Sequence, residues 1–337
     1  MPQITYLVTL RPRGRFFFGG DKAFTSSGEA VYSAQSLYFP QQTALLGMLR
    51  LALLRQADAL EVSSASKQIM IGTGFEPHAE QNNNLGKILS LSPVFVRNTL
   101  AQQDWKPIGM DFQENHVLPQ KLVHNGQDVF WLEGYNPKKG ELKNRWSCGD
   151  QRCNVEDFFE TIESVGNKKA QDGKSEDESF FKQTSYRFKR KLNEQEAELA
   201  FALYVTFEGQ QNFDKVRSVI VGADQSAFSL ELTETNQVES EGVLGSKIVL
   251  TSDAYIANYE TLKSYCDFIL GHAVPFRYMV APVSGKYYQP NRSPKQYNLL
   301  ARGTVMYPKA DKINEASAVI KEAIAFHQIG YNHFIML

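Results

Sequence analysis

Hydrophobic and polar positions alternate from the start of the chain. Ile4, Tyr6, Val8 and Leu10 fall on one side of an extended segment, the period of a half-buried strand. The period changes after Pro40, a residue suited to the first turn of a helix. From 41 to 60, Leu45, Leu49, Ala52 and Leu53 recur at helical spacing. Residues 61–84 are polar, rich in Gly and Asn, and read as loop, whereas LSLSPVF (89–95) reads as a short extended run. Residues 105–150 predict several short strands, Val129–Leu132 among them. Residues 163–179, ESVGNKKAQDGKSEDES, hold one Val and many charges, which predicts a flexible loop or the tip of a long hairpin.

Beyond that stretch, residues 197–207 predict a strand, and Val216–Val221 and Phe228–Leu232 two more. A helix is expected over 257–270 and a strand over Leu299–Met306, around Arg302-Gly303. An amphipathic helix is expected over 313–328, with Asp311 placed to cap its start and Gly330 its end. His333–Met336 closes the chain as a strand. Strands and helices on both sides of the polar stretch predict an α+β protein, with units at 1–162 and 183–337 and a linker or hairpin tip at 163–182.

A length of 337 residues has room for about two domains. With 42% hydrophobic and 22% charged residues, the chain has the composition of a folded core. It has no apolar run of about 18 residues and no apolar N-terminal leader, so a soluble, cytoplasmic protein is expected, with no membrane partner. Cys148, Cys153 and Cys266 do not make a disulfide framework. Cys148 and Cys153 would need two further ligands to hold zinc, with only His116, His124 and Cys266 as distant candidates; plain thiols and no metal are expected.

The net charge of −1 hides segregation. No acid precedes Asp21, yet Arg11, Arg13 and Arg15 follow the first strand. Residues 81–103, 182–193 and 268–310 also lack Asp and Glu. The last of these carries Arg277, Lys286, Arg292, Lys295, Arg302 and Lys309, while acids collect between Glu156 and Glu178 and between Glu231 and Glu260. This pattern predicts one basic face and one acidic face.

Catalytic and nucleotide motifs do not explain these charges. The six histidines form no HExxH pattern, no GxxxxGK[ST] exists, and the glycines near Gly72 and Gly74 do not make a dinucleotide fingerprint, so no cofactor is expected. Contacts to RNA explain them better. Arg11, Arg13 and Arg15 can grip phosphates. On the first helix Thr43, Gly47 and Arg50 share a stripe, and the N–H groups around Gln41, Gln42 and Thr43 face an anion. The alternative is that Gly47 packs on a sheet and Arg50 pairs with a carboxylate. Lys286, Tyr287, Arg292 and Lys295 set aromatics among cations, as base stacking requires. Lys189 and Arg190 lie in the basic segment SYRFKRK, which could also be a solvated strand edge. Arg302 and Gly303 interrupt an apolar strand where another backbone could approach. Phe16–Phe18 are assigned to the core.

These blocks together resemble the family of the third Cmr subunit of type III-B CRISPR effector complexes, within the RAMP superfamily. The similarity lies in LRPRGRFFFGGDKAF, in SLYFPQQTALLGMLR with its Gly47-x-x-Arg50, in LSLSPVF, in SYRFKRKLN with LYVTF, in SPKQYNLLARGTVMYP and in GYNHFI. VGADQSAF departs from it: Gly222 alone remains of the usual glycine-rich turn. The resemblance implies two ferredoxin-like (RRM-like) units packed together, with loop and hairpin insertions. It implies a noncatalytic subunit that holds the 5′ handle of the CRISPR RNA and joins the large polymerase-like subunit to the backbone subunit. The rival within the superfamily is an endoribonuclease that processes the precursor RNA, which commonly needs a histidine; none precedes His78.

Overall fold

The computed structural model describes residues 2–19, 22–24, 32–60, 63–111, 120–124, 127–131, 142–169, 175–222, 224–236, 245–280 and 291–337. The alternating N-terminal segment forms a strand, Gln3–Pro12, at the heart of a nine-stranded antiparallel sheet. It is hydrogen-bonded between Leu199–Glu208 and Ser226–Glu234. Outward from Leu199–Glu208 follow Phe95–Asn98, Gln103–Asp111, Lys143–Cys148 and Gln151–Asn154, and Ile88–Leu91 also pairs with it. Ser218–Val221 ends the other side. The hydrogen bonds of this sheet tie residues 3–10 to 201–208.

A four-stranded antiparallel sheet follows in the order Cys266–Leu270, Val305–Pro308, Ile248–Leu250, Phe334–Met336. The polar stretch becomes a long hairpin of Phe159–Lys169 against Ser175–Phe188, with its tip outside the described residues. Two ion pairs, Glu160–Arg187 and Glu163–Lys182, cross it.

Helix α1 spans Gln42–Gln56 and buries Leu45, Leu46, Leu49, Ala52 and Leu53. Its neighbours in the core include Phe16, Phe18, Phe201 and Phe228, with ring centroids 4.9 Å apart for Phe16–Phe18 and 5.3 Å for Phe16–Phe201. Phe16, Phe17 and Phe18 are all buried, as their apolar run predicts. Each such aromatic pair adds about 0.5–1.5 kcal/mol beyond its area burial. Among the described residues no helix is long and apolar enough to cross a membrane.

Four elements differ from the pattern. Residues 61–84 contain a helix, α2 (Ser64–Ile71), started by the Ser63 side chain accepting from the Ser66 N–H; polar composition hides it. The helix expected over 257–270 covers only Tyr259–Tyr265 (α3), and Cys266–Leu270 continues as a sheet strand. The strand expected over Leu299–Met306 is two, Tyr297–Leu300 and Val305–Pro308, which pair in different sheets. The helix over 313–328 breaks into α4 (Ile313–Lys321) and α5 (Ile324–Gln328). At the break Ala323 leaves helical geometry, with ψ 70°, and the Ile320 carbonyl accepts from the Asn332 side chain at 2.6 Å. Asp311 does not cap it, because it sits at φ 62° and Lys312 takes the N-cap position.

Candidate nucleic-acid interface

After the first strand the backbone turns over the end of the sheet and is held there by three anchors. The Arg13 N–H donates to the Ala227 carbonyl at 2.9 Å, and the Phe16 N–H to the Tyr186 carbonyl at 2.7 Å. The Phe17 N–H donates to the Ser226 hydroxyl at 2.9 Å. Beneath this arch opens a cleft of about 380 Å³, bordered by Arg13, Arg15, Ser185, Asp224 and Gln225. Arg13 and Arg15 are exposed at its mouth, and Arg13 Nε donates to the Ser229 hydroxyl at 3.2 Å. Two cations beside a carboxylate and an amide can hold a phosphate and a base edge at once. Arg11 stands apart, facing Glu198 at 3.6 Å and Glu231 at 3.7 Å. Residue chemistry alone did not bring Ser185, Asp224 and Gln225 to the site; for Asp224 and Gln225 the signal was the departure from glycine in VGADQSAF.

The helix supplies a second feature. Gly47 is exposed, and a Cβ built there meets nothing within 4 Å, so it does not pack on the sheet. Glycine inside a helix costs about 0.5–1 kcal/mol relative to alanine. The fold gains nothing from it. Thr43 is half-buried beside it, and Gln41 forms the N-cap without a side-chain cap bond. Arg50 Nη2 donates to the Gly72 carbonyl at 3.2 Å and fastens the loop after α2 onto α1.

Three expected RNA contacts are interior instead. Gln42 is 2% exposed, and its amide donates to the Ser92 and Gly330 carbonyls at 3.0 Å each. Arg302 is 8% exposed and stacks 4.4 Å over Phe39 and 5.8 Å from Trp146, while one Nη donates to the Val94 carbonyl at 2.7 Å. Gly303, at φ 86°, passes a hydrogen bond to each sheet: its N–H donates to Leu250 and its carbonyl accepts from Met110. Asn144 crowds the place of any Cβ there. Arg302 and Gly303 pin the two sheets together, and neither lines the cleft of Arg13 and Arg15.

Lys189 is half-buried and Arg190 exposed at the base of the hairpin; neither borders that cleft. Lys286 and Tyr287 lie outside the described residues, and Arg292 is described only by its backbone, paired with Met279. Lys295 is exposed beside His78 and Tyr297. The cysteines are free thiols, and among the described residues no three His, Cys, Asp or Glu side chains could share a metal. Burial pushes the Cys266 thiol up to about 11 and raises Cys153 further, so both stay protonated at neutral pH.

The fold is thus mixed α+β, mostly antiparallel sheet with few helices. One chain of the Type III-B Cmr-beta complex bound to cognate target RNA, solved by cryo-EM, is similar in fold, with a TM-score of 0.52 at 12% identity over 98% of this chain and 96% of that one. A chain of the same complex with cognate target RNA and AMPPnP, state 1, gives 0.48 at 13% identity over 98% and 95%. No curated protein matches. The family described as CRISPR-associated protein (Cas_Cmr3) matches residues 8–337, and the chain belongs to it.

Proposed function

We propose that this chain is a noncatalytic subunit of a type III-B CRISPR effector complex, working in the cytoplasm. It holds the 5′ handle of the CRISPR RNA and joins the large polymerase-like subunit to the backbone subunit. The observation that carries the RNA contact is the cleft under residues 13–17, where Arg13 and Arg15 stand beside Asp224 and Gln225. Family membership and the RNA-bound complex of similar fold support the setting. The exposed Gly47 supports a second contact on α1, where a phosphate backbone could come close.

The strand orders support two ferredoxin-like units. Ile248–Leu250, α3, Cys266–Leu270, Val305–Pro308, α4 with α5, and Phe334–Met336 run βαββαβ, with the sheet order such units have. Gln3–Pro12, α1, Ile88–Leu91 with Phe95–Asn98, Leu199–Glu208 and Ser226–Glu234 repeat that order without the second helix. On this reading the boundary between units falls between Glu234 and Ile248.

Titrating the chain with handle RNA across a salt series tests the function. Each lost phosphate contact lowers the salt slope by about 0.7 for a single strand. Arg13→Ala with Arg15→Ala is expected to weaken binding about tenfold per arginine and to flatten the slope by about two contacts, with unchanged thermal stability. Binding that ignores salt, or a double variant that binds like the original, would sink the proposal. Gly47→Ala is expected to stabilise the chain by about 0.5–1 kcal/mol in urea melts while weakening RNA binding. A gain in stability with no loss of binding would remove α1 from the interface.

A further inference from the structure

We infer that Lys295 is a phosphate contact for single-stranded RNA, held in place by His78 and separate from the Arg13–Arg15 cleft; this rests on the reading of the chain as RNA-binding. The loop after α2 carries His78 across to the strand Tyr297–Leu300. There its Nε2 lies 3.0 Å from Lys295 Nζ and 3.0 Å from the Tyr297 hydroxyl. An ammonium has only protons to offer, so Nζ can donate to Nε2 only in the tautomer that carries its proton on Nδ1. Lys295 Nζ also stands 5.0 Å over the Tyr297 ring. That ring is 4% exposed and wedged edge-on against Tyr255 at 5.3 Å, so the platform is rigid.

The partners of Lys295 are an imidazole and an aromatic face, and the ion pairs among the described residues do not include it. Neutral partners fix an ammonium without cancelling its charge. Lys295 has already given up much of the rotamer freedom that a loose surface lysine loses when it binds an anion. The surroundings select the ligand. Tyr278 is half-buried, with its ring 6.4 Å from that of Tyr297, and Arg277 beside it is exposed. No Asp or Glu occurs from 268 to 310, and the acids of the facing loop, Glu76 and Glu80, are exposed on either side of His78. An aromatic next to cations suits a base stacked beside its phosphate, whereas an acidic peptide would make no use of the ring.

The test uses the full chain and an oligouridine of about 16 nucleotides, titrated over a range of salt. Lys295→Ala is expected to weaken binding about tenfold and to lower the salt slope by about 0.7. His78→Ala, which frees the lysine but keeps its charge, is expected to weaken binding about fivefold with the slope unchanged. His78→Gln, whose side-chain oxygen can accept from Nζ, should recover most of the loss. A wild-type chain that does not bind, or binds without regard to salt, defeats the parent reading. Normal wild-type binding with Lys295→Ala unaltered in affinity and slope defeats only this inference. A His78→Ala variant that binds as tightly as the original removes the positioning role. Site-specific RNA cleavage abolished by His78→Ala, or polyglutamate competing better than oligouridine, would also overturn it.

Discussion

Arg302→Ala is expected to lower the stability of the chain by about 3–5 kcal/mol in urea denaturation, and to leave the RNA affinity of the folded fraction unchanged. The guanidinium packs 4.4 Å over Phe39, whose ring stacks on Trp146, and donates to the Val94 carbonyl, while its own backbone lies in the turn before the smaller sheet's strand Val305–Pro308 and its N–H donates to the Asp253 side chain at 2.8 Å. Truncation uncovers the face of the Phe39 ring and leaves a buried carbonyl short of a donor. Both losses weaken the junction between the sheets, not the surface. Arg302→Lys should recover little, because an ammonium cannot stack as a plane while bonding at its edge. If Arg302→Ala melts like the original and loses RNA binding instead, the interior placement of this arginine is wrong.

Gly330→Ala is the second large effect, about 3 kcal/mol of lost stability in thermal or urea melts. Gly330 has φ 91°, where a Cβ costs about 1–2 kcal/mol per residue. The new methyl would also press on the Ser92 carbonyl and on the Gln42 amide, and relieving that crowding costs about 1–3 kcal/mol more. The amide is the one that ties Ser92 to Gly330, so the substitution breaks the tie as it enters. The two sites share one contact, and their effects should not add. Gln42→Ala combined with Gly330→Ala should cost less than the sum of the single variants. Full additivity would mean that Gln42 does not link Ser92 to Gly330.

Much of the scaffold was legible from local pattern. The strand at Gln3–Pro12 and the helix at Gln42–Gln56 followed from the periods of Ile4–Leu10 and Leu45–Leu53. The burial of Phe16–Phe18 followed from an apolar run behind three arginines. Helix α2 was not legible, because its start depends on a Ser63 cap amid polar residues. The split of Leu299–Met306 was equally hidden, since an apolar run reads the same whether it pairs with one sheet or two. For the candidate site, Arg13 and Arg15 were found from charge, whereas Gln42 and Arg302 have the residue chemistry of RNA contacts and serve as interior pins. Charge and hydrogen-bonding capacity are visible in a residue type; the partner that uses them is not.

The sequence by itself determined the α+β class, the resemblance to the family, and the segregation of basic and acidic stretches, because each depends on residue type, period and order along the chain. The tertiary structure alone decided which cations face outward. Arg302 and Gln42 are drawn inward by carbonyls of Val94, Ser92 and Gly330, far away in sequence. Arg13, Arg15 and Lys295 keep their charge at the surface, and His78 meets Lys295 across 217 positions. Such pairings arise when two sheets close on each other, and no local spacing encodes them.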